Sequence, residues 1–299
     1  MARKSVAKWL KRIEDTFSGP AGVVGESILR LEVRETALFN SLFNTFSGYV
    51  RLLDAFLGFY FETLELMGKR RDRKWPDKIS VITAFHIPTF WRFRASNIVF
   101  WKGYYIDAVG LLRGVLENAL SIIALNKGII TVENAFADVP IQRIKNGDTD
   151  WQERIRRGIR KTDNKVREAL IGNESRLSSQ TRKVLKGMLA LMHNSVHRSR
   201  INILRHYVPW AMGKRPFPIT PVYDEDLAFL YTNFSSFLAY ILTKTLPFLQ
   251  VQEDEFPEAW WAKWNVLDES FEEYMTDFPE DSRTSYQEFI RKTFGSAGT

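Results

Sequence analysis

Cysteine is absent from the 299 residues of this sequence. Its absence excludes disulfide bonds, a thiolate nucleophile, iron–sulfur clusters and cysteine-ligated zinc. The start of the chain also lacks the apolar run of roughly 7–15 residues that characterises a secretory signal. Two apolar stretches, 79–101 and 227–249, are each interrupted by charged residues and proline. We therefore expect a cytoplasmic protein with no transmembrane segment.

Proline is scarce, and its 11 residues leave three long uninterrupted spans, 20–76, 88–140 and 140–209. Because proline disrupts helix interiors, such spans leave room for long helices. None of them shows the sustained alternation of apolar and polar residues that is typical of a strand. The sequence therefore predicts an all-α protein, a multi-helix bundle with long antiparallel helices.

Apolar residues at spacings of three and four predict where the helices lie. The predicted helices cover 5–17, 26–68 as one helix or two abutting ones, 77–100 with an interruption near Pro88, 104–126, 151–170, 178–207 and 223–246. Segment 26–68 is apolar over much of its circumference, so we expect it at a bundle centre or an oligomer interface. We divide the chain into an N-terminal helical region (1–100), a helical bundle (101–250) and an acidic C-terminal extension (251–299).

Charge is distributed unevenly along a chain whose net charge is +7. Segment 151–217 holds 16 lysine and arginine residues against 4 acidic ones, whereas segment 251–290 holds 2 against 12. Such asymmetry indicates a basic surface for RNA or another polyanion, and a separate acidic tail. The alternative is that the two segments neutralise each other inside one fold.

Basic residues in predicted helix 151–170 recur at steps of three to five. Such a stripe can follow a phosphate backbone, and Trp151 beside it can stack on an unpaired base. The alternative is an ordinary solvated face. The candidate nucleic-acid contacts are Arg154, Arg156, Arg157, Arg160, Lys161, Lys165 and Arg167, together with Arg198 and Arg200 further along.

Predicted helix 104–126 combines an apolar seam with polar residues. The seam consists of Tyr105, Ala108, Leu112, Val115, Ala119 and Ile122, and the small residues Gly103, Asp107, Gly110 and Gly114 form a face that permits close helix approach. Arg113 and Glu117 lie four residues apart, so their side chains can meet. They form either a surface salt bridge or part of a functional polar pocket.

Three of the four histidines fall between residues 193 and 206, and His193 and His197 share one helical face. Histidine carries protons near neutral pH, and the nearby arginines can stabilise charge that develops on a phosphodiester. The pair also has the His-x-x-x-His spacing of zinc metalloproteases, but Asn194 stands where their glutamate base would be. A third possibility is that both histidines are structural.

Together, Gly103–Glu117 and Asn194–His197 resemble the HEPN superfamily of helical bundles, over roughly residues 100–250. The resemblance implies a four- or five-helix bundle, a homodimer and an antitoxin or other protein partner. It also implies an RNA-directed protein without a cofactor, which is either a metal-independent ribonuclease in stress or phage defence or a protein that only binds nucleotides or RNA. Active members carry Arg-x4–6-His, a spacing that Arg200 and His206 fit.

In that interpretation His197 transfers the proton, Arg113 and Glu117 orient it or the phosphate, and His193 lies beside it as a further candidate. No metal site is implied. The alternative function is a non-catalytic helical binding or scaffold protein with a structural polar pocket.

Overall fold

A computed structural model describes residues 24–69, 77–132, 151–196, 212, 223–250 and 256–295, with the helix backbone alone for 24–30, 77, 151–157 and 196. These residues form nine α-helices, three short 3-10 helices and no strand, which confirms the all-α prediction. The helices are α1 (Val24–Thr45), α2 (Ser47–Gly68), α3 (Asp77–Trp101), α4 (Tyr105–Asn126), α5 (Trp151–Leu170), α6 (Ser179–Val196), α7 (Glu225–Thr245), α8 (Glu258–Tyr274) and α9 (Glu280–Phe294).

Local sequence signals explain where several helices begin and end. The Asp224 side chain accepts a hydrogen bond from the Leu227 backbone N–H at 3.0 Å and so caps the start of α7. Gly128, just past α4, has a φ of +70°, a conformation that glycine adopts without steric cost. Segment 26–68 is two abutting helices, one of the two predicted alternatives.

Helix α4 lies at the centre of the fold and contacts α3, α5, α6 and α7. All six residues of its predicted apolar seam are buried, which confirms the seam. Because four helices cover one central helix, only a strip of α4 is left for polar side chains. Residues on that strip, including Arg113 and Glu117, are half-buried.

Helix α3 continues through Pro88, so the predicted interruption there is wrong. Proline removes only the backbone donor for the carbonyl of Ala84, and because Ala84 is exposed, water can serve that carbonyl; the next two carbonyls along the helix accept from hydroxyl groups. Thr89 Oγ1 donates to the Phe85 carbonyl at 2.6 Å, and Tyr60 Oη donates to the His86 carbonyl at 3.1 Å. Pro88 itself is exposed, so its ring meets solvent instead of a neighbouring helix.

Helices α1 and α2 differ in how much of their apolar surface is covered by other parts of the protein. Phe56 and Phe59 of α2 are buried in the core, as expected of a bundle centre. On α1, Val33 is 69% exposed, and Phe39 and Phe43 are each 40% exposed. The bundle-centre alternative is therefore wrong for α1, and the oligomer-interface alternative stays a prediction for that helix.

The acidic C-terminal segment packs onto the other helices. Trp260 is buried and donates from Nε1 to Thr63 Oγ1 of α2 at 2.9 Å. Lys244 of α7 pairs with Asp268 Oδ2 at 2.7 Å. Glu288 accepts from the Ser178 backbone N–H at 2.8 Å and so joins α9 to the start of α6. The acidic segment therefore shares the core of the bundle and neutralises some of its cations.

By length and composition one described helix, α4, is long and apolar enough to cross a bilayer. It is neither of the two apolar stretches, 79–101 and 227–249, that stand out in the sequence. Most of it is buried inside the protein, as expected of a core helix. Other predictions fall outside the described residues: the helix over 5–17, the end of the helix predicted to reach 207, and the histidines at 197 and 206.

Candidate functional site

Two charged side chains meet on the polar strip of α4. Arg113 Nε donates to Glu117 Oε1 at 2.9 Å, the contact that their spacing of four residues allows. The buried seam of α4 faces the other way, so the pair lies at the edge of the core. Only 22% of the Arg113 side chain and 28% of the Glu117 side chain are exposed.

A second arginine reaches the same carboxylate oxygen from α5. Arg167 Nη2 donates to Glu117 Oε1 at 2.6 Å. Val166 and Leu170 of α5 are buried, and this packing aims the neighbouring Arg167 at α4. Two guanidinium groups on one carboxylate offset part of the cost of its burial.

The third helix of the site, α6, contributes an imidazole. His193 Nδ1 lies 2.6 Å from Arg113 Nη1, although the two residues are 80 positions apart in the sequence. Met188 and Met192 bury the opposite side of α6, which leaves His193 exposed at the edge. Because a guanidinium has donors only, Nδ1 accepts this bond and the ring proton lies on Nε2. The Nε2 atom of this imidazole is therefore a donor and not an acceptor.

A second carboxylate, that of Asp163 on α5, completes the site. Burial raises the pKa of Asp163, the negative charge of Glu117 raises it further, and Arg167 and Arg113 oppose both effects. Arg113, Glu117, Asp163, Arg167 and His193 are called the polar cluster below. It has two guanidinium groups and two carboxylates, and protonation of Asp163 would make it more positive.

The polar cluster lies at the surface. A separate concavity of about 380 Å³ is found elsewhere, near the C-terminal end of α4, where it is lined by Lys78, Leu125, Lys127 and Ile130 among others. Lys78 Nζ is engaged there with the Asn126 carbonyl at 3.0 Å. A partly buried cluster at the protein surface, outside an enclosing pocket, suits an extended polymer better than a small molecule that must be enclosed.

Three of the four predicted catalytic residues, Arg113, Glu117 and His193, come together in this cluster. His197 lies outside the described residues. So do Arg198 and Arg200, and the side chains of Arg154, Arg156 and Arg157.

The predicted basic stripe divides between two flanks of α5. Arg160, Asp163 and Arg167 are three and four residues apart, so they share the flank that borders Glu117. Lys161 and Lys165 are also four residues apart, on the other side of the helix axis. All of these basic residues except Arg167 are exposed. Among the exposed basic residues of α5 that the structure describes, Arg160 is therefore the one on the same flank as the polar cluster.

Sequence reasoning missed Asp163, whose position four residues before Arg167 was an available signal. It also missed Arg92 of α3, whose guanidinium lies over Gly114. The small face of α4 was expected to admit a helix backbone, but at Gly114 it admits this side chain. Within the described part of the chain, no group of three or more histidine and acidic residues is placed to hold a metal ion.

Comparison with known proteins adds no relative: no protein-family model, no curated protein and no solved structure matches the chain. The resemblance to HEPN proteins therefore stays a prediction that rests on the short segments around Arg113, Glu117 and His197.

Proposed function

We propose that this protein is a HEPN-like, RNA-directed protein that contacts RNA phosphates at the polar cluster. The contact between Arg113 Nη1 and His193 Nδ1 carries the proposal. It joins helix α4, which carries Arg113 and Glu117, to helix α6, which carries Asn194, and these residues belong to the two stretches behind the HEPN resemblance.

The donors of the polar cluster favour an anionic ligand. Glu117 holds two guanidinium groups in place through one oxygen, at 2.9 and 2.6 Å. Guanidinium and imidazole N–H groups are donors, which suit phosphate oxygens. The charge of Glu117 orients the two arginines, so the surface that a ligand would meet is rich in hydrogen-bond donors.

The surroundings of the cluster favour a polymer over a single phosphate. The exposed Arg160 extends the basic flank of α5 by about 10 Å from Arg167, at 1.5 Å of rise per residue. Segment 151–217 carries the excess of basic residues in the chain. Neutralising successive phosphates releases counterions, which gives an affinity that falls steeply with salt.

The test is binding of a fluorescently labelled single-stranded RNA, followed by anisotropy across salt concentrations. We expect Arg167→Gln and His193→Gln each to weaken binding about tenfold, the range for a charged hydrogen bond. Both residues are partly or fully exposed, so we expect the variants to keep their helical circular dichroism. Arg94→Gln is the matched control, because Arg94 is exposed, lies over Trp91 and makes no contact with a residue of the polar cluster among the described residues.

Two results would overturn this proposal. The first is wild-type protein that does not bind RNA at low salt. The second is binding that falls equally in the Arg94 control and in both cluster variants. Either result would leave the scaffold alternative, in which the polar cluster only holds α5 and α6 against α4.

Metal-independent RNA cleavage is the second candidate function. An imidazole, a guanidinium and a carboxylate lie together at the surface, and such groups can transfer a proton and stabilise charge at a phosphodiester. With Nδ1 bonded to Arg113, however, His193 lacks the free Nε2 lone pair of a general base. We therefore assign proton transfer to His197 and phosphate contact to His193.

A cleavage assay in EDTA with wild type, His197→Ala and His193→Ala tests this candidate. We expect His197→Ala to abolish cleavage while RNA still binds, and His193→Ala to weaken binding as well as cleavage. Cleavage that is unchanged in His197→Ala would contradict the assignment. A wild type that binds RNA without cleaving it would leave RNA binding as the function.

A further inference from the structure

Arg92 of α3 lies against the same turn of α4 that carries Arg113 and Glu117. A Cβ atom added to Gly114 would lie 2.9 Å from Arg92 Nη1, 3.2 Å from its Cδ and 3.4 Å from its Cζ. Gly114 follows Arg113 directly and precedes Glu117 by three residues, so it occupies the same polar strip of α4. The guanidinium of Arg92 thus occupies the space that any larger side chain at position 114 would take.

Arg92 differs from the other two arginines at this turn in its partners. Arg113 and Arg167 both donate to Glu117. The guanidinium of Arg92 has no hydrogen-bond or ion-pair partner within the described part of the chain, and the residue is exposed. A cation held beside a strip of small and polar residues, without a carboxylate of its own, has its full charge available to a ligand.

We infer that Arg92 is a third phosphate-contacting arginine, and that RNA lies across α4 between α3 on one side and α5 and α6 on the other. The inference rests on the proposed function and extends it. It names the phosphodiester backbone, contacted without regard to base identity, as the group recognised at this turn. Gly114 lets the guanidinium of Arg92 lie close to the backbone of α4, where the RNA strand that contacts the polar cluster can also contact Arg92.

Variants at Arg92 and at Gly114 distinguish this inference from a role of Arg92 in packing alone. Arg92→Ala removes the charge, and Arg94→Ala, two residues further on and on a different side of α3, is the matched control. Gly114→Ala keeps the charge but displaces the guanidinium, since the atoms in its way are the far end of a flexible side chain. Alanine also favours the helix over glycine, so Gly114→Ala should not lower the melting temperature.

The experiment is RNA binding across salt concentrations for wild type, Arg92→Ala, Arg94→Ala and Gly114→Ala. We expect Arg92→Ala to weaken binding about tenfold and to reduce the slope of log K against log salt by about 0.7, the contribution of one phosphate on a single strand. Arg94→Ala should leave the slope unchanged. Gly114→Ala should weaken binding several-fold without loss of thermal stability.

The outcome that would overturn the inference is distinct from failure of the proposed function. If Arg167→Gln and His193→Gln weaken binding but Arg92→Ala matches Arg94→Ala in affinity and slope, RNA binds at the polar cluster without Arg92. If wild type itself does not bind RNA, the proposed function fails, and this inference with it.

Discussion

Arg167 Nη2 lies 2.6 Å from Oε1 of Glu117, and this ion pair joins the basic helix α5 to the central helix α4. The same oxygen accepts from Arg113 at 2.9 Å. One carboxylate therefore holds two guanidinium groups, that of Arg113 in its own helix and that of Arg167, which lies 50 positions after Glu117 in the sequence. The geometry of the whole polar cluster depends on this one acceptor.

Replacing Glu117 with glutamine should loosen α5 and make the cluster more basic. The pair is partly exposed, so we expect a loss of about 1 kcal/mol in the free energy of unfolding, measured with urea. Amide hydrogen exchange should quicken in α5 before it does in α7. Glu62→Gln is the control, because its pair with Lys263 is more exposed, at 43% and 53%, and should contribute little. Equal losses in the two variants would contradict the anchoring role of Glu117.

Asp163→Asn should raise the affinity for RNA. Since the pKa of Asp163 is raised by burial and by Glu117, its carboxyl takes up a proton at a higher pH than an ordinary aspartate. Each protonation removes a negative charge beside the phosphate contacts, so wild-type affinity should increase as pH falls. In Asp163→Asn, affinity at neutral pH should be several-fold higher, and its rise with falling pH should be smaller. A variant with the same pH profile as wild type would place Asp163 outside the binding surface.

The buried His86 should make the stability of the protein depend on pH. Burial lowers the pKa of His86 to about 3, against the opposing effect of the Thr245 backbone. In the unfolded chain its pKa is about 6.5. Between these values the unfolded state binds a proton that the folded state does not, so stability is lost as pH falls, at about 1.4 kcal/mol per pH unit.

This pH dependence can be measured by urea unfolding at several pH values from 6.5 to 4, in wild type and in His86→Leu. The slope for wild type should exceed that for the variant, whatever the absolute stability of the variant. Tyr60 Oη still has the backbone carbonyl of residue 86 as an acceptor in the variant, at 3.1 Å in wild type. Parallel slopes would show that His86 does not carry the effect.

Trp260→Ala should destabilise the whole protein, because α8 is part of the shared core. Trp260 is 1% exposed, packs on Phe59 and Phe256, and donates to Thr63. Truncating a buried tryptophan costs about 3–5 kcal/mol. Val266→Ala, on the same helix and 62% exposed, should change stability by less than about 0.5 kcal/mol. A small effect of Trp260→Ala on the unfolding of the other helices would indicate that the C-terminal segment folds independently.

The sequence predicted features that depend on neighbours within a turn or two. The seam of α4, the length of α5 and the contact between Arg113 and Glu117 all follow from spacings of three and four residues. Features that depend on the surroundings of a helix were predicted less well from the sequence. Pro88 was expected to interrupt α3, but the helix continues, because Pro88 and Ala84, whose carbonyl loses its donor, both lie on an exposed side of α3.

The assembly of the site belongs to the tertiary structure. The sequence alone determined that this chain is helical, that its charges are segregated and that Arg113 can reach Glu117, because helix geometry fixes these over a few residues. Only the packing of α3, α5 and α6 around α4 decided that Arg167 and His193 join that pair, and that Arg92 lies over Gly114. Contacts between residues 50 or 80 positions apart depend on how apolar faces of different helices fit together, and no spacing along the chain encodes that fit.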